Sequence, residues 1–360
     1  MEKQKKIAYV LGTKAQFIKS KYILSNLVEN GFELTILDTG QHIELTSREL
    51  KLFGKNYNHI NLTNNSKNIS KIRSMLLWFI KFLFFGNKIT LDNDIQYCLI
   101  HGDTVSTLMG LVFSKRNNLK TIHIEAGYKS HNLFKPFPEE IVRSIVSKYA
   151  NIVSVDGEEY LRNIKNINNK KLILLKKNTI FDSVNVFLNE INIDKKNILT
   201  ITIHRTENIY NKKRLRDFIE LLIKVSEINK FEKIQWFCHD ITINALTKNN
   251  LVKPLEDNCI KLKKLLPHKK FLNEIINSKA VITDGGSIAE ECFIINQNTL
   301  IWRDVAESKN YLNKNVILSN YDESKSLNFL KSVEFKYPIN MDDYSPSKDF
   351  VTQFLSLIQK

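Results

Sequence analysis

Cysteine is scarce in this sequence, and the few cysteines do not form a recognisable site. The chain has 360 residues and four cysteines, which lie far apart. Their separation excludes the close spacing of a zinc or iron–sulfur motif and is typical of a protein whose thiols stay reduced. The apolar stretch of a secretory signal is also missing, because the charged start runs directly into a strand pattern at 7–11. We therefore expect a cytoplasmic protein.

The sequence lacks an apolar run long enough to cross a bilayer, and it has no internal repeat. Its most apolar stretch, residues 75–85, has one charge in eleven residues, whereas a spanning helix needs roughly 20 apolar residues. A helix that is apolar on every side is typical of a buried element. The alternative is that the 70–88 segment, with Lys71, Arg73, Lys81 and Lys88 around it, docks on a partner subunit or peripherally at the inner face of the membrane.

Acidic residues are outnumbered by basic ones, and the formal net charge is +15. Such an excess is found in proteins that bind nucleic acid or anionic lipid. Lys and Asn are spread over nearly every loop, however, and no nucleic-acid motif is present. We interpret the charge as a solvated surface and expect no nucleic-acid partner.

Short apolar runs alternate with helical patterns in the first half of the chain. Strands are predicted at 6–12, 32–38, 96–102, 121–125, 151–155 and 171–176. Helices are predicted at 16–29, 43–53, 70–85, 104–116, 138–150 and 158–165. The alternation predicts an α/β fold with a mostly parallel sheet that is covered on both faces.

The second half repeats this pattern. Its strands are predicted at 198–204, 233–238, 259–264, 280–283, 299–303 and 315–318, and its helices at 212–229, 241–248, 268–278 and 287–295. A polar stretch near 180–196 is typical of a linker. We therefore predict two Rossmann-like domains, residues 1–185 and 186–345, and a last helix at 346–360 that crosses back onto the first domain.

Three carboxylates follow predicted strands or begin predicted helices in the first domain. They are Asp103 in the run HGDT, Glu125 in HIEAG and Glu139 in PEE. The carboxyl ends of neighbouring parallel strands form the ligand crevice of an open α/β sheet. The sequence therefore predicts an active site that contains Asp103, Glu125 and Glu139.

Two glycine-containing turns are candidates for anion binding. Gly12-Thr13-Lys14 follows the first strand, and backbone N–H groups at a helix start favour negative charge, with Lys14 or Lys19 as a further phosphate contact. Many α/β domains have such a turn without a ligand. The turn at 284–287 has two glycines and a serine before a helix and predicts a seat for a diphosphate. The alternative there is a tight turn that Ser287 caps.

Two histidines end predicted strands of the second domain. His204 and His239 would face the same crevice, where an imidazole can transfer protons or bind a phosphate oxygen. The histidine and carboxylate positions lack the spacing of metal ligands, and no serine nucleophile elbow is present. We expect neither a metal nor a cofactor.

Several motifs, in this order, resemble those of the non-hydrolysing UDP-N-acetylglucosamine 2-epimerases. The resemblance covers roughly residues 6–320 and is specific for the fold and for nucleotide-sugar binding. It implies a two-domain fold of the glycosyltransferase-B type with the active site in the interdomain cleft. The matching blocks are Gly12-Thr13-Lys14 with Ile18-Lys19, TGQH (39–42), HGDT (101–104), HIEAG (123–127), PEEIVR (138–143), His204-Arg205, TDGGSIAEE (283–291) and Arg303-Asp304 with Glu307.

The resemblance implies interconversion of UDP-GlcNAc and UDP-ManNAc, or of a related UDP-HexNAc, for surface polysaccharide biosynthesis. A base removes the C2 proton while UDP leaves C1, and UDP adds back to the 2-acetamidoglucal after reprotonation on the other face. Which carboxylate takes the C2 proton stays open. A homodimer is also expected. The implied catalytic residues are Asp103, Glu125, Glu139 and His204. The implied substrate-binding residues are Lys14, Lys19, Arg143, His239, Phe271 (on uracil), Gly286, Ser287, Glu291 (on ribose) and Arg303.

The loops that would contact substrate depart from the family pattern, whereas the acid/base positions match it. The opening Arg is Lys14, and an ammonium offers a point charge where a guanidinium would bind a phosphate with two N–H groups. A changed sugar or reaction is therefore an alternative, namely a glycosyltransferase on the same fold that uses a nucleotide-sugar donor in capsule or lipopolysaccharide assembly. The other departures are Ala15-Gln16, Tyr128-Lys129, the order of Ser and Gly in 285–287, and residues 305–309.

Overall fold

The computed structural model describes residues 5–41, 43–63, 72–85, 89, 91–129, 138–164, 167–306, 311–313, 315–339 and 342–359, without the side chains of 44, 45, 72, 73 and 85. The chain divides into two units. The first unit is Met1–Ser183 with Tyr344–Lys360, and the second is Val184–Asp343.

The strands of each unit form one parallel sheet. Those of the first unit are β1 (Lys6–Leu11), β2 (Glu33–Asp38), β3 (Asn58–Asn61), β4 (Ile95–His101), β5 (Lys120–Ile124), β6 (Ile152–Val155) and β7 (Lys171–Leu174). Those of the second are β8 (Lys196–Thr202), β9 (Lys233–Cys238), β10 (Ile260–Lys264), β11 (Ser278–Thr283), β12 (Thr299–Ile301) and β13 (Val316–Leu318).

Helices connect the strands. In the first half of the chain they are α1 (Lys14–Glu29), α2 (Ile43–Lys51), α3 (Ile72–Phe85), α4 (Val105–Arg116), α5 (Glu139–Tyr149) and α6 (Ile180–Leu188). In the second half they are α7 (Thr206–Ile209), α8 (Lys212–Glu227), α9 (Asp240–Lys248), α10 (Val252–Asp257), α11 (His268–Asn277), α12 (Gly286–Ile294), α13 (Glu323–Ser332) and α14 (Pro346–Gln359).

Alternation along β1 places a core on each face of the first sheet. Tyr9 packs in one cluster with Phe17 of α1, whereas Val10 packs in another with Trp78 of α3. Successive side chains of a strand point to opposite faces, so a central parallel strand is apolar throughout. This explains the unbroken apolar run that β1 shows in the sequence, and two parallel-sheet α/β units are what the pattern predicts.

The order of strands changes direction once in each sheet. The first sheet has the order β3-β2-β1-β4-β5-β6-β7 and the second β10-β9-β8-β11-β12-β13. The chain therefore leaves β1 toward one edge and resumes at β4 toward the other, and β8 and β11 are related in the same way. Ligands of open α/β sheets bind outside the carboxyl ends of strands at such reversals.

The last helix, α14, packs in the first unit. Phe350, Val351 and Phe354 are buried there, and Phe354 contacts the rings of Phe32 and Tyr97. The Gln353 side chain also exchanges hydrogen bonds with the backbone of Leu174 in β7.

Several elements differ from the sequence prediction. The stretch 180–188, predicted as part of a linker, is the helix α6, and 158–165 contains a short 3₁₀ helix, Glu158–Asn163, rather than an α-helix. The strand β3 was missed because it is a short edge strand with mostly exposed polar side chains, whose pairing with β2 comes from the backbone. The helices α7, α10 and α13 were missed as well.

The helix α3 is buried on one side only, so the expectation of a fully buried helix is wrong. Trp78 and Phe82 are in the core, and the indole N–H of Trp78 donates to the carbonyl of Thr39. Leu76 and Leu77 are each 60% exposed and Phe84 is 73% exposed. Within the described part of the chain, no helix has the length and hydropathy to cross a bilayer. Lys71 and Lys88 lie outside the described residues, as does the side chain of Arg73.

Candidate active site

The reversal between β1 and β4 brings the predicted carboxylate motifs to one edge of the first sheet. Thr13 follows β1, Asp103 follows β4, and Glu125 follows β5, which pairs directly with β4. The sequence therefore positions these side chains through strand order, although they are up to 112 residues apart.

Glu125 is held by a cation and an imidazole. Nζ of Lys19 donates to its Oε1 at 2.6 Å, and Nε2 of His101 lies 3.3 Å from its Oε2. Glu125 also has a left-handed backbone with φ +62°, a conformation that costs an ordinary residue about 1–2 kcal/mol. Such strain persists where the surroundings determine it, which is common at functional sites.

His101 is a neutral imidazole beside this carboxylate. Burial, with a smaller contribution from the positive charge of Lys19, keeps its pKa well below the ordinary value. A charged imidazole would therefore not be present at neutral pH. Lys19 is the group that balances the negative charge of Glu125.

Asp103 has its own cation. The Arg143 guanidinium donates to Oδ2 of Asp103 and, at 3.1 Å, to Oε2 of Glu140. Arg143 and Glu140 belong to the first turns of α5, and Glu139 is the first residue of that helix and partly exposed. The helix α5 thus carries the predicted catalytic carboxylate of Glu139 and, through Arg143, holds that of Asp103.

His123 is a structural histidine. Its Nε2 lies 2.7 Å from the carbonyl oxygen of Gly102, and its Nδ1 accepts from the Ser147 hydroxyl at 3.2 Å. Burial lowers its pKa to about 4. The ring therefore fixes the turn that presents Asp103 and does not itself exchange protons near neutral pH.

The first glycine turn is closed by its own side chains and does not form an open anion cradle. Thr13 and Gln16 cap α1 reciprocally, which uses the backbone N–H of each residue. A Cβ on Gly12 would lie 2.3 Å from Cβ of Ser106, so this glycine allows close packing of α4. Nζ of Lys14 lies 3.5 Å from Oε1 of the buried Glu49.

The second unit has its reversal between β8 and β11. His204 follows β8, and the turn Asp284-Gly285 follows β11. Asp284 is fully buried and accepts hydrogen bonds from the backbone N–H groups of His204 and Arg205 and from the amide of Asn208. Its Oδ1 also lies 3.3 Å from Nδ1 of His204. The carboxylate of Asp284 thus fixes the backbone that carries His204 and lies beside its imidazole ring.

His239 lies against His204. The ring centroids are 4.7 Å apart with an angle of 35° between the planes. The two strand-end histidines of the second unit are thus neighbours, as their positions in the sequence predicted.

The second glycine turn leaves its helix start open. The N-cap of α12 is Gly285, which has no side chain to cap the helix, and the hydroxyl of Thr283 accepts from the N–H of Gly285 itself. The alternative in which Ser287 caps the turn is therefore wrong, because Ser287 already lies inside the first helical turn. Uncapped N–H groups at a helix start bind anions readily. Gly285 also allows a close approach, since a Cβ there would lie 3.4 Å from Cε1 of His204.

The remaining candidates of the second unit each have a defined partner. Phe271 packs edge-on against Phe237, with ring centroids 5.3 Å apart. The buried Arg303 has Nε 3.4 Å from Oε1 of Glu207. Oε1 of Glu291 accepts from Nε2 of His268 at 2.6 Å.

Sequence reasoning missed three side chains that hold the candidate residues in place. His101 and Asp284 are inside motifs that the sequence analysis quoted, so the sequence could have indicated that they lie near the site. His268 is in none of these motifs, and no sequence feature indicated its role. In the described ranges, no group of three or more His, Cys, Asp or Glu side chains is arranged to bind a metal.

A sequence model of the family described as UDP-N-acetylglucosamine 2-epimerase matches residues 26–336. This range is most of the 360-residue chain. The chain belongs to this family. Its members are nucleotide-sugar isomerases, so membership supports the epimerase interpretation over the glycosyltransferase alternative.

Individual relatives agree with this family. The UDP-N-acetylglucosamine 2-epimerase homolog of Methanococcus maripaludis is 29% identical over 352 residues, which cover 88% of this chain and 91% of the relative. The UDP-N-acetylglucosamine 2-epimerase of Methanocaldococcus jannaschii is 26% identical over 324 residues, 84% of each chain. A crystal structure of the M. jannaschii UDP-GlcNAc 2-epimerase in complex with UDP-GlcNAc and UDP superposes with a TM-score of 0.77 at 23% identity, over 98% of this chain and 99% of that one. The structural likeness shows the fold.

Proposed function

We propose that this family member interconverts UDP-GlcNAc and UDP-ManNAc by elimination and re-addition of UDP. The observation that carries the proposal is the pairing of two strand-end carboxylates with cations that are largely shielded from solvent, Glu125 with Lys19 and Asp103 with Arg143. A base must be ionised to accept a proton, and an adjacent cation stabilises that form.

The reaction breaks the C2–H bond and the bond between C1 and the UDP oxygen. The electrons of the C2–H bond form the C1=C2 double bond, UDP leaves with the C1–O pair, and the product is 2-acetamidoglucal. Protonation of C2 on the other face and return of UDP to C1 complete the epimerisation. Acid/base groups are needed on both faces of the ring, and we propose Asp103, Glu125 and Glu139 for them. Lys19 and Arg143 hold the carboxylates and contact the sugar end of the substrate.

The second unit supplies the nucleotide contacts in this proposal. The uncapped start of α12, at Gly286 and Ser287, and the side chains of His239 and Arg303 receive the diphosphate, because N–H dipoles and cations stabilise negative charge as the leaving group forms. His204, oriented by Asp284, exchanges a proton with the leaving UDP. Lys14, Glu291 and Phe271 are proposed for a phosphate, the ribose and the uracil, respectively.

Solvent isotope exchange tests the reaction. Incubation with UDP-GlcNAc in deuterated water should place deuterium at C2 and produce a second UDP-HexNAc, both visible by NMR. Glu125→Gln and Asp103→Asn should abolish exchange, whereas Glu158→Gln, an exposed acid of the same unit, should leave it intact. Lack of exchange with UDP-GlcNAc and with related UDP-sugars would contradict the proposal.

The biological setting that we propose is cytoplasmic supply of ManNAc-type units for a surface polysaccharide such as a capsule or lipopolysaccharide. Deletion of the gene should remove such a sugar from the cell-surface polysaccharide, as composition analysis would measure. Normal sugar composition in the deletion strain would contradict this role.

We further propose that the protein is a homodimer, with peripheral membrane binding as the alternative use of the exposed face of α3. Leu76, Leu77 and Phe84 form an apolar face, and such faces are typical of interaction surfaces. Leu77→Ser with Phe84→Ser should give monomers in analytical ultracentrifugation, whereas Leu52→Ser, another exposed leucine, should not. Retained dimers together with lost binding to anionic vesicles would favour the membrane instead.

A further inference from the structure

The second unit contains a buried pair of hydrogen-bonded side chains that sequence reasoning did not find. Nε2 of His268 lies 2.6 Å from Oε1 of Glu291, and the two side chains are 10% and 4% exposed. An ionised carboxylate only accepts hydrogen bonds, so Nε2 of His268 carries a proton and donates it. A buried carboxylate without such a donor is strongly destabilised.

This pair fixes the direction of the Glu291 carboxylate. Glu291 is in the second turn of α12, and helical side chains lean toward the amino end of their helix. In that direction lies the helix start at Gly286, five residues away or about 7.5 Å along the helix axis. Within the described residues, the hydrogen bond from His268 is the one that the carboxylate accepts, and it goes to Oε1. The second oxygen, Oε2, is left to accept from a ligand.

The same histidine is also placed next to the base-stacking candidate. His268 and Phe271 are three residues apart on α11, so they share one face of that helix. The ring of Phe271 packs edge-on against Phe237 near the end of β9. One face of α11 therefore presents an aromatic ring and, beside it, the donor that orients an acidic group.

We propose that His268 is a positioning residue for recognition of the ribose, acting through Glu291. It rests on the proposed function, in which Glu291 binds the ribose of UDP. His268 holds Oε1, and Oε2 and the second lone pair of Oε1 accept from the 2′- and 3′-hydroxyls. Discrimination in favour of a ribonucleotide then depends on the hydrogen bond between two protein side chains.

The experiment compares UDP with 2′,3′-dideoxyuridine diphosphate by calorimetry on the full chain. A hydrogen bond to a charged group is worth roughly a tenfold to hundredfold change in affinity, so the wild type should prefer UDP by about that ratio. His268→Gln keeps an N–H donor near the position of Nε2 and should preserve the ratio. His268→Asn has the same amide on a side chain one methylene shorter. It should reduce the preference for UDP over the dideoxy analogue to roughly threefold or less, chiefly because UDP binds more weakly.

Each outcome has a distinct meaning. Equal weakening of both ligands by His268→Asn, or an unchanged ratio, would show that the pair only joins α11 to α12 and would overturn the inference. Thermal unfolding of both variants identifies a folding defect. Because the Gln and Asn variants carry the same amide group, the same loss of UDP preference in both would also count against a role in positioning. Failure of the wild type to bind UDP would instead overturn the proposed function.

Discussion

The ammonium of Lys19 and the carboxylate of Glu125 are joined at 2.6 Å, although 106 residues separate them in the chain. Lys19 is in the second turn of α1, and Glu125 follows β5 in a left-handed conformation. The bond therefore spans the strand-order reversal of the first sheet. We interpret it as the contact that orients this carboxylate and balances its negative charge.

Removal of this cation should disable the site more than it unfolds the protein. Lys19→Met leaves a mostly buried carboxylate without its cation, so the carboxylate should lose its orientation and kcat should fall by roughly a hundredfold or more. Steady-state kinetics with UDP-GlcNAc would measure the loss. Lys120→Met, an exposed lysine at the opposite end of β5, is the control and should have no effect. Wild-type kcat in Lys19→Met would contradict this role.

The orientation of His204 should depend on Asp284. Asp284→Asn preserves the size of the side chain but leaves one oxygen to accept the backbone N–H groups of His204 and Arg205, so the turn that carries His204 should shift. We expect kcat to fall by on the order of a hundredfold, because small displacements of a catalytic group are costly. Deuterium exchange rates at C2 would measure the loss, and Asp240→Asn, an exposed acid at the start of α9, should retain the wild-type rate. A loss of the same size in both variants would argue against an orienting role.

Mild acid should destabilise the first unit through its buried histidines. The folded pKa of His123 is about 4, against an ordinary value of 6.5. As the pH falls below 6.5, the unfolded chain takes up a proton that the folded chain does not. Stability from this group is therefore complete above pH 6.5 and is lost toward pH 4, by up to about 1.4 kcal/mol per pH unit. His101, whose pKa is also lowered, acts in the same direction.

Urea unfolding between about pH 7.5 and pH 5, where most carboxyl groups stay ionised, would measure how steeply the free energy of unfolding depends on pH. His123→Gln keeps a donor for the carbonyl of Gly102 but does not titrate, so its slope should be shallower than that of the wild type. Parallel slopes for the two proteins would show that His123 does not contribute.

The side-chain amide of Gln16 should be required for stability because it donates hydrogen bonds to the loop after β4 and to α4. Its Nε2 donates to the carbonyl of His101 and to the hydroxyls of Thr104 and Thr107. Gln16→Glu keeps the size of the side chain, yet a glutamate cannot donate to the carbonyl, and the buried change should cost about 1–3 kcal/mol of unfolding free energy. Chemical denaturation would measure the change against Gln96→Glu, an exposed glutamine of β4. Equal stability of the two variants would contradict this explanation.

The elements that the sequence predicted best are the central strands and the turns that follow them. An unbroken apolar run such as β1 arises because a central parallel strand is buried on both faces, and a polar motif directly after it marks the carboxyl end. The same logic failed for β3, whose exposed residues Asn58 and Asn61 carry no apolar signal. It failed for α6 because the stretch 180–196 was taken as one polar linker, whereas its first part, Ile180–Leu188, is an apolar helix.

The sequence by itself determined the fold class, the family and the residue types at the candidate site, since strand periodicity and the motifs after each strand are local features. The tertiary structure decided which cation faces which carboxylate, that the turn at Gly12 is closed while the start of α12 is open, and that His268 supports Glu291. These are contacts between side chains distant in the chain. Their geometry depends on strand order and helix packing, which no local pattern specifies.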